Sequence, residues 1–103
     1  MRPAQPAKIL RIHLSESDRA KDAPLYEAIV AKCRELKIAG ASVFVGLEGF
    51  GEATLVSRER PLLITIVDTP GNIDRLIPVV AEMMDTGLMS VSAAQMTRVE
   101  ART

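Results

Sequence analysis

"IAGASVFVGLEGFGEATLVSRERPLLITIVD", residues 38–68, decides the fold because it holds two apolar runs of different kinds. The first, Ser42–Glu48, alternates: Val43, Val45 and Leu47 fall on one side, Phe44, Gly46 and Glu48 on the other. Side chains that repeat every second residue mark a strand with two unlike faces. The second, Pro61–Asp68, is apolar at nearly every position and rich in β-branched residues, which predicts a central strand covered on both faces. Between them stands Gly49-Phe50-Gly51, a loop signal at the base of a hairpin.

The same periods extend outward. "KILRIHL", residues 8–14, alternates with Leu10, Ile12 and Leu14 on one face and Ile9, Arg11 and His13 on the other. "SESDRAKDAP" is a polar connection with several residues able to cap a helix. From Pro24 the period changes, and Leu25, Ile29, Cys33 and Leu36 form a helical stripe. Gly40 offers a C-terminal stop, so the first helix is expected over about 24–38. Thr69-Pro70 opens a second helix, with Thr69 as N-cap and Ile73, Leu76, Ile77, Val80 and Met83 or Met84 as its stripe. Pro78 inside it costs about 3 kcal/mol unless a kink absorbs the lost backbone bond. Thr86-Gly87 ends the helix, and "LMSVSAAQMTRV" is the last strand. Residues 1–7 and 98–103 read as loose tails.

The order is therefore β-α-β-β-α-β in one domain, 1–103. It predicts an α+β, ferredoxin-like fold: a four-stranded antiparallel sheet with both helices on one face. The other face of the sheet would be a sizeable apolar patch, so a second copy of the chain is expected to cover it.

Composition excludes several function classes. Thirteen acids balance thirteen bases, and the chain has no Trp, one Tyr and two Phe. Neither a phosphate-tracking basic face nor a base-stacking surface is expected, so nucleic acid is not a partner. No apolar run reaches the length of a membrane span, and the N-terminus lacks the apolar stretch of a secretory signal, so the chain is expected in the cytoplasm with no direct membrane insertion. A single Cys and a single His leave nucleophilic catalysis without its usual parts, so no catalytic residue is assigned and the chain is read as non-enzymatic. Cys33 on the apolar stripe reads as a small core residue. His13 reads as an open-face or interface residue, with pH sensing or metal binding as its alternative. Glu16, Ser17 and Asp18 form a polar turn whose paired acids could hold a cation, but no second acidic cluster completes a metal site.

"LRIHLSESDRAKDAPLYEAIVAKCRELKIAGASVFVGLEGFG" and "PLLITIVDTPGNIDRLIPVVAEMMDTGLMSV" together resemble domain-of-unknown-function family 190, a PII-like group. The resemblance covers about residues 9–92. A more distant likeness joins it to the PII signalling proteins, which share "GFG" at the base of a long loop and "TG" after the second helix. The resemblance implies a homotrimer with small-ligand clefts between subunits, adenine nucleotides being the usual ligands. It also implies a loop that docks on a protein partner, a membrane transporter or channel-type protein being the candidate. Carried over residue by residue, the cleft would use Gly49, Phe50, Gly51, Glu52, Thr86 and Gly87, and the docking loop Arg58, Glu59 and Arg60. Arg98 and Arg102 fall where PII proteins keep phosphate-reaching arginines.

Three departures bear on the ligand. Only Glu52 to Arg60 separates Gly51 from the next strand. The Gly-Asp-Gly-Lys phosphate turn that follows "TG" in PII proteins is replaced by Leu88-Met89-Ser90-Val91. Glu52 stands where PII proteins place a base. ATP is therefore not carried over, and the ligand or cofactor is left unknown. The alternatives are a structural, scaffolding trimer and a metal-responsive trimer of the divalent-cation-tolerance kind.

Overall fold

The computed structural model describes residues 2–49 and 59–100. The elements run β1 (Gln5–Ser15), α1 (Leu25–Glu35), β2 (Ser42–Val45), β3 (Pro61–Asp68), α2 (Pro70–Met83) and β4 (Leu88–Met96). The sheet order is β2-β3-β1-β4, and all three pairings are antiparallel. This is the expected ferredoxin-like arrangement, with β3 and β1 in the centre and β2 and β4 at the edges.

Alternation in the two central strands sends Leu10, Ile12 and Leu14 of β1 and Leu62, Ile64 and Ile66 of β3 to the helical side, where all six are buried. Ile29 and Cys33 of α1 and Ile73, Leu76 and Val80 of α2 close the core over them. Each fully buried Leu or Ile here contributes about 1.5–3 kcal/mol relative to exposure. β3 is buried on that side only: Leu63 and Thr65 are half-buried, and Val67 is exposed. Within the single chain its second face is open, so the expected cover on both faces is not found there.

Several boundaries differ from the sequence reading, each for a physical reason. Gln5, Pro6 and Ala7 belong to β1 and not to a tail, because they pair with Met96, Gln95 and Ala94 of β4. The second strand stops at Val45, where the Gly46 N–H turns to the Pro61 carbonyl at 2.7 Å. No side chain caps α1; the Leu25 N–H instead donates to the Asp18 carbonyl at 2.8 Å. α1 ends at Glu35, and the stop is Lys37, not Gly40: Lys37 takes φ 60°. The Ile38 N–H then reaches the Cys33 carbonyl at 2.9 Å and the Lys37 N–H the Arg34 carbonyl at 3.1 Å. That pair of bonds closes a helix end in the Schellman manner, with Lys in the seat glycine usually takes. Thr69 caps α2 as expected, its Oγ1 accepting from the Asn72 N–H at 3.3 Å. α2 runs through Pro78 to Met83, short of Thr86.

Candidate functional site

The functional candidates collect at one end of the sheet, where β1 leaves at Ser15 and β3 enters at Pro61, directly opposite it. β4 enters at Leu88 beside His13, and β2 leaves at Val45 beside Leu62.

The turn after β1 and the segment returning into β3 are fastened together. The Ser15 hydroxyl donates to Glu59 Oε2 at 2.8 Å. The Arg60 N–H donates to Glu16 Oε1 at 3.2 Å, and the Glu16 N–H donates to the Arg60 carbonyl at 3.0 Å. Two polar stretches that the sequence keeps 44 positions apart thus form one structure. Asp18 turns inward, its Oδ2 accepting from the Ser15 N–H at 2.9 Å, so its carboxylate holds the turn. Among the described residues, no three of His, Cys, Asp and Glu gather as metal ligands would.

The glycines after β2 are there for close approach. A Cβ on Gly49 would lie 3.2 Å from Pro61 Cγ, and one on Gly46 only 2.6 Å from it. Gly46, which sequence reasoning passed over as a strand residue, is the tighter of the two. Phe50, Gly51, Glu52 and Arg58 lie outside the described residues, as does Arg102.

Thr86 and Gly87 sit at the other edge. Gly87 takes φ 140°, and a Cβ there would press on the Met84 side-chain methyl and lie 2.9 Å from the His13 carbonyl oxygen. A glycine is required on both counts. With Ala81, Asp85 and Leu88, these two residues line a cavity of about 190 Å³. That is below the roughly 300–1,000 Å³ typical of small-molecule sites. Strand order puts Gly49, after β2, and Thr86-Gly87, before β4, at opposite edges of the sheet. One chain therefore gathers Glu16, Asp18, Glu59 and Arg60 but does not bring the two glycine walls together.

Asp68 is the polar residue that sequence reasoning undervalued. It is 2% exposed at the end of β3. Its carboxylate accepts from the Ala39 N–H at 2.9 Å, the Thr69 N–H at 2.7 Å and Asn72 Nδ2 at 3.0 Å. Burial works to raise its pKa; those three donors and the charge of Arg98 outweigh it and hold the carboxyl below its ordinary value. Asp68 ties the segment after α1 to the start of α2. The Asp-Thr-Pro run at a strand-to-helix junction was the available signal. Cys33 is buried, and burial pushes its thiol pKa up.

Comparison with known proteins agrees with this architecture. Residues 7–96 match domain-of-unknown-function family 190, described as "Uncharacterized ACR". The UPF0166 protein MJ1524 of Methanocaldococcus jannaschii is 31% identical over 94 residues, 84% of this chain and 87% of that one. Among solved structures, CPII of Thiomonas intermedia K12, a nitrogen regulatory PII-like protein, superposes with TM-score 0.70 at 17% identity. The match covers 93% of each chain, and that structure is bound to ADP, AMP and acetate. The divalent ion tolerance protein CutA1 of Ehrlichia chaffeensis gives TM-score 0.60 at 11% identity, over 91% of this chain and 84% of that one. The chain is a member of family 190, built on the PII-like, ferredoxin-like fold.

Proposed function

We propose that the chain is a non-enzymatic, PII-like regulatory protein of the cytoplasm. It assembles as a homotrimer, binds a small ligand between subunits and signals to a protein partner, a membrane transporter or channel-type protein being the candidate. The observation that carries this reading is the separation of Gly49 from Thr86-Gly87 on opposite edges of the sheet. Each edge offers part of a cleft, and the 190 Å³ cavity beside Thr86 is too small alone for a nucleotide. A neighbouring copy that sets its β2 edge against this β4 edge completes a larger site from Gly49, Phe50, Gly51 and Glu52 of one chain and Thr86 and Gly87 of the other. Likeness to CPII, bound to ADP, AMP and acetate, makes an adenine nucleotide the first ligand to try. Asp85 in the cavity lining and Glu52 favour AMP or ADP over ATP, because added phosphate charge meets carboxylates. Glu59 and Arg60, fastened to β1 through Ser15 and Glu16, lie where a change in the preceding loop would be felt by the sheet; with Arg58, which precedes them in sequence, they are the docking candidates.

A thermal-shift panel of AMP, ADP, ATP, cyclic AMP and divalent metals tests the reading. A ligand at 100 times its Kd stabilises by about 2.7 kcal/mol, several degrees for a domain of this size. AMP or ADP shifting the melt supports the cleft; silence across the nucleotides removes it. The likeness to CutA1 favours, as a second reading, a metal-responsive trimer, whose ligands would have to come from several copies because the described residues of one chain, His13, Glu16 and Asp18 included, gather no metal-ligand cluster. A shift with metals alone would select it.

A further inference from the structure

The open face of the sheet carries a pattern that the cleft does not use. Register sets it out in rows. Phe44 pairs with Leu63, Leu63 with His13 and His13 with Leu88. This row is apolar at both ends, with Phe44 56% and Leu88 51% exposed. One row further on stand Ser42, Thr65, Arg11 and Ser90, again direct partners in turn. Beyond them come Val67, Ile9 and Ser92. A row made only of hydroxyls and one guanidinium therefore runs between two rows with apolar members.

Arg11 stands in the middle, half-buried even in a single chain. Its Nη1 donates to Ser92 Oγ at 3.2 Å, a neutral acceptor that occupies one of five guanidinium donors. The face consists of alternate residues: Gln5 to Ser15 of β1, Pro61 to Val67 of β3, Ser42 and Phe44 of β2, and Leu88 to Met96 of β4. None of these is Asp or Glu. Among the described residues, the strand neighbours of this guanidinium offer it no counter-charge, the Glu59 carboxylate being held on Ser15 two rows away.

We propose that Arg11, with the hydroxyls of Thr65, Ser90 and Ser92, binds a small planar oxyanion of the carboxylate class on the open sheet face. The guanidinium fork offers two parallel N–H donors that fit a planar oxyanion and not a spherical halide. The flanking hydroxyls can donate to the same oxygens. All four side chains belong to one chain. The proposal rests on the oligomer above only for the cover that dries the face and strengthens the contact.

The test uses the full chain, ¹⁵N-labelled, observed at its arginine Nε–Hε groups and backbone amides. Sodium acetate, and separately sodium nitrate, replaces sodium chloride at constant pH and ionic strength, and sedimentation gives the mass of the same samples. One arginine resonance, absent in Arg11→Gln, is expected to move saturably together with the Ser90 and Ser92 amides. Ser92→Ala is expected to weaken the apparent affinity several-fold at unchanged mass, and it carries the test if Arg11→Gln does not fold. Movement with acetate alone assigns a carboxylate ligand; movement with both assigns planar anions in general. An Arg11 resonance that stays still, or drifts linearly in step with the other arginines, overturns the proposal. A trimer without the saturable shift sinks the anion site and leaves the regulatory reading intact; a monomer with the shift does the reverse.

Discussion

Ser15 Oγ donates to Glu59 Oε2 at 2.8 Å, fixing the last residue of β1 to the segment that re-enters the sheet at β3. Ser15 is buried, and its hydroxyl also stands 3.2 Å from Ser17 Oγ. The contact couples the turn at Glu16–Asp18 to the end of the Gly49–Arg60 connection, so that a change at Glu59 is passed directly to a central strand.

Ser15→Ala removes the donor and leaves the Glu59 carboxylate without it. The expected loss is about 1.5–3 kcal/mol by urea denaturation, the range for a hydrogen bond to a charged group. Amide exchange at Glu16 and Arg60 should speed up more than exchange in α2. Equal acceleration everywhere would mean that the bond supports only global stability.

Two glycines should respond with opposite sign. Gly87→Ala sets a side chain at φ 140° and 2.9 Å from the His13 carbonyl, so a loss of about 1–3 kcal/mol is expected. Gly71, in the first turn of α2, has nothing within 4 Å of a built Cβ. Gly71→Ala should raise stability by about 0.4–1 kcal/mol. Melting temperatures of the two variants check both directions.

Asp68 gives the fold an acid-sensitive tie. Its pKa is lower in the folded chain than in the unfolded one, so its contribution is fully present above the ordinary carboxylate value near 3.9 and is lost as pH falls through the folded value. Asp68→Asn keeps the size but turns an NH₂ group toward one of the three donors. A loss of about 2–3 kcal/mol is expected at pH 7. The difference from the parent chain should shrink below about pH 4. A gap that stays constant from pH 7 to pH 3 would contradict the assignment.

Cys33 should be inert. It is buried against the core, and its raised pKa leaves little thiolate. Reaction with a disulfide reagent at pH 8 should proceed only as fast as the fold opens, and reach ordinary thiol rates in denaturant. Fast labelling of the folded chain would place the thiol at the surface.

The parts of the fold legible in the sequence are those governed by local period. Leu62 to Asp68 and the stripe Ile73, Leu76 and Val80 declare their elements through side-chain spacing alone, and Thr69 declares its cap. The misread boundaries were set by partners distant in sequence. Gln5 and Pro6 look like tail until β4 pairs with them. Lys37 takes a glycine's conformation because the bonds from Lys37 and Ile38 close α1, while Gly40 looked the better stop. The site divides the same way. Gly87 was legible as a helix-ending glycine, but its contact with the His13 carbonyl was not. Glu16 was legible as part of a polar turn and Glu59 as part of the loop before β3, yet no local spacing could show that they lie on one structure.

The central claim is that one chain carries two partial walls that only another copy can join. Sedimentation equilibrium of the purified chain tests it most directly. The account predicts a single species of three times the 11.2 kDa chain mass, persisting on dilution. A folded monomer of 11.2 kDa across the same concentrations would contradict it.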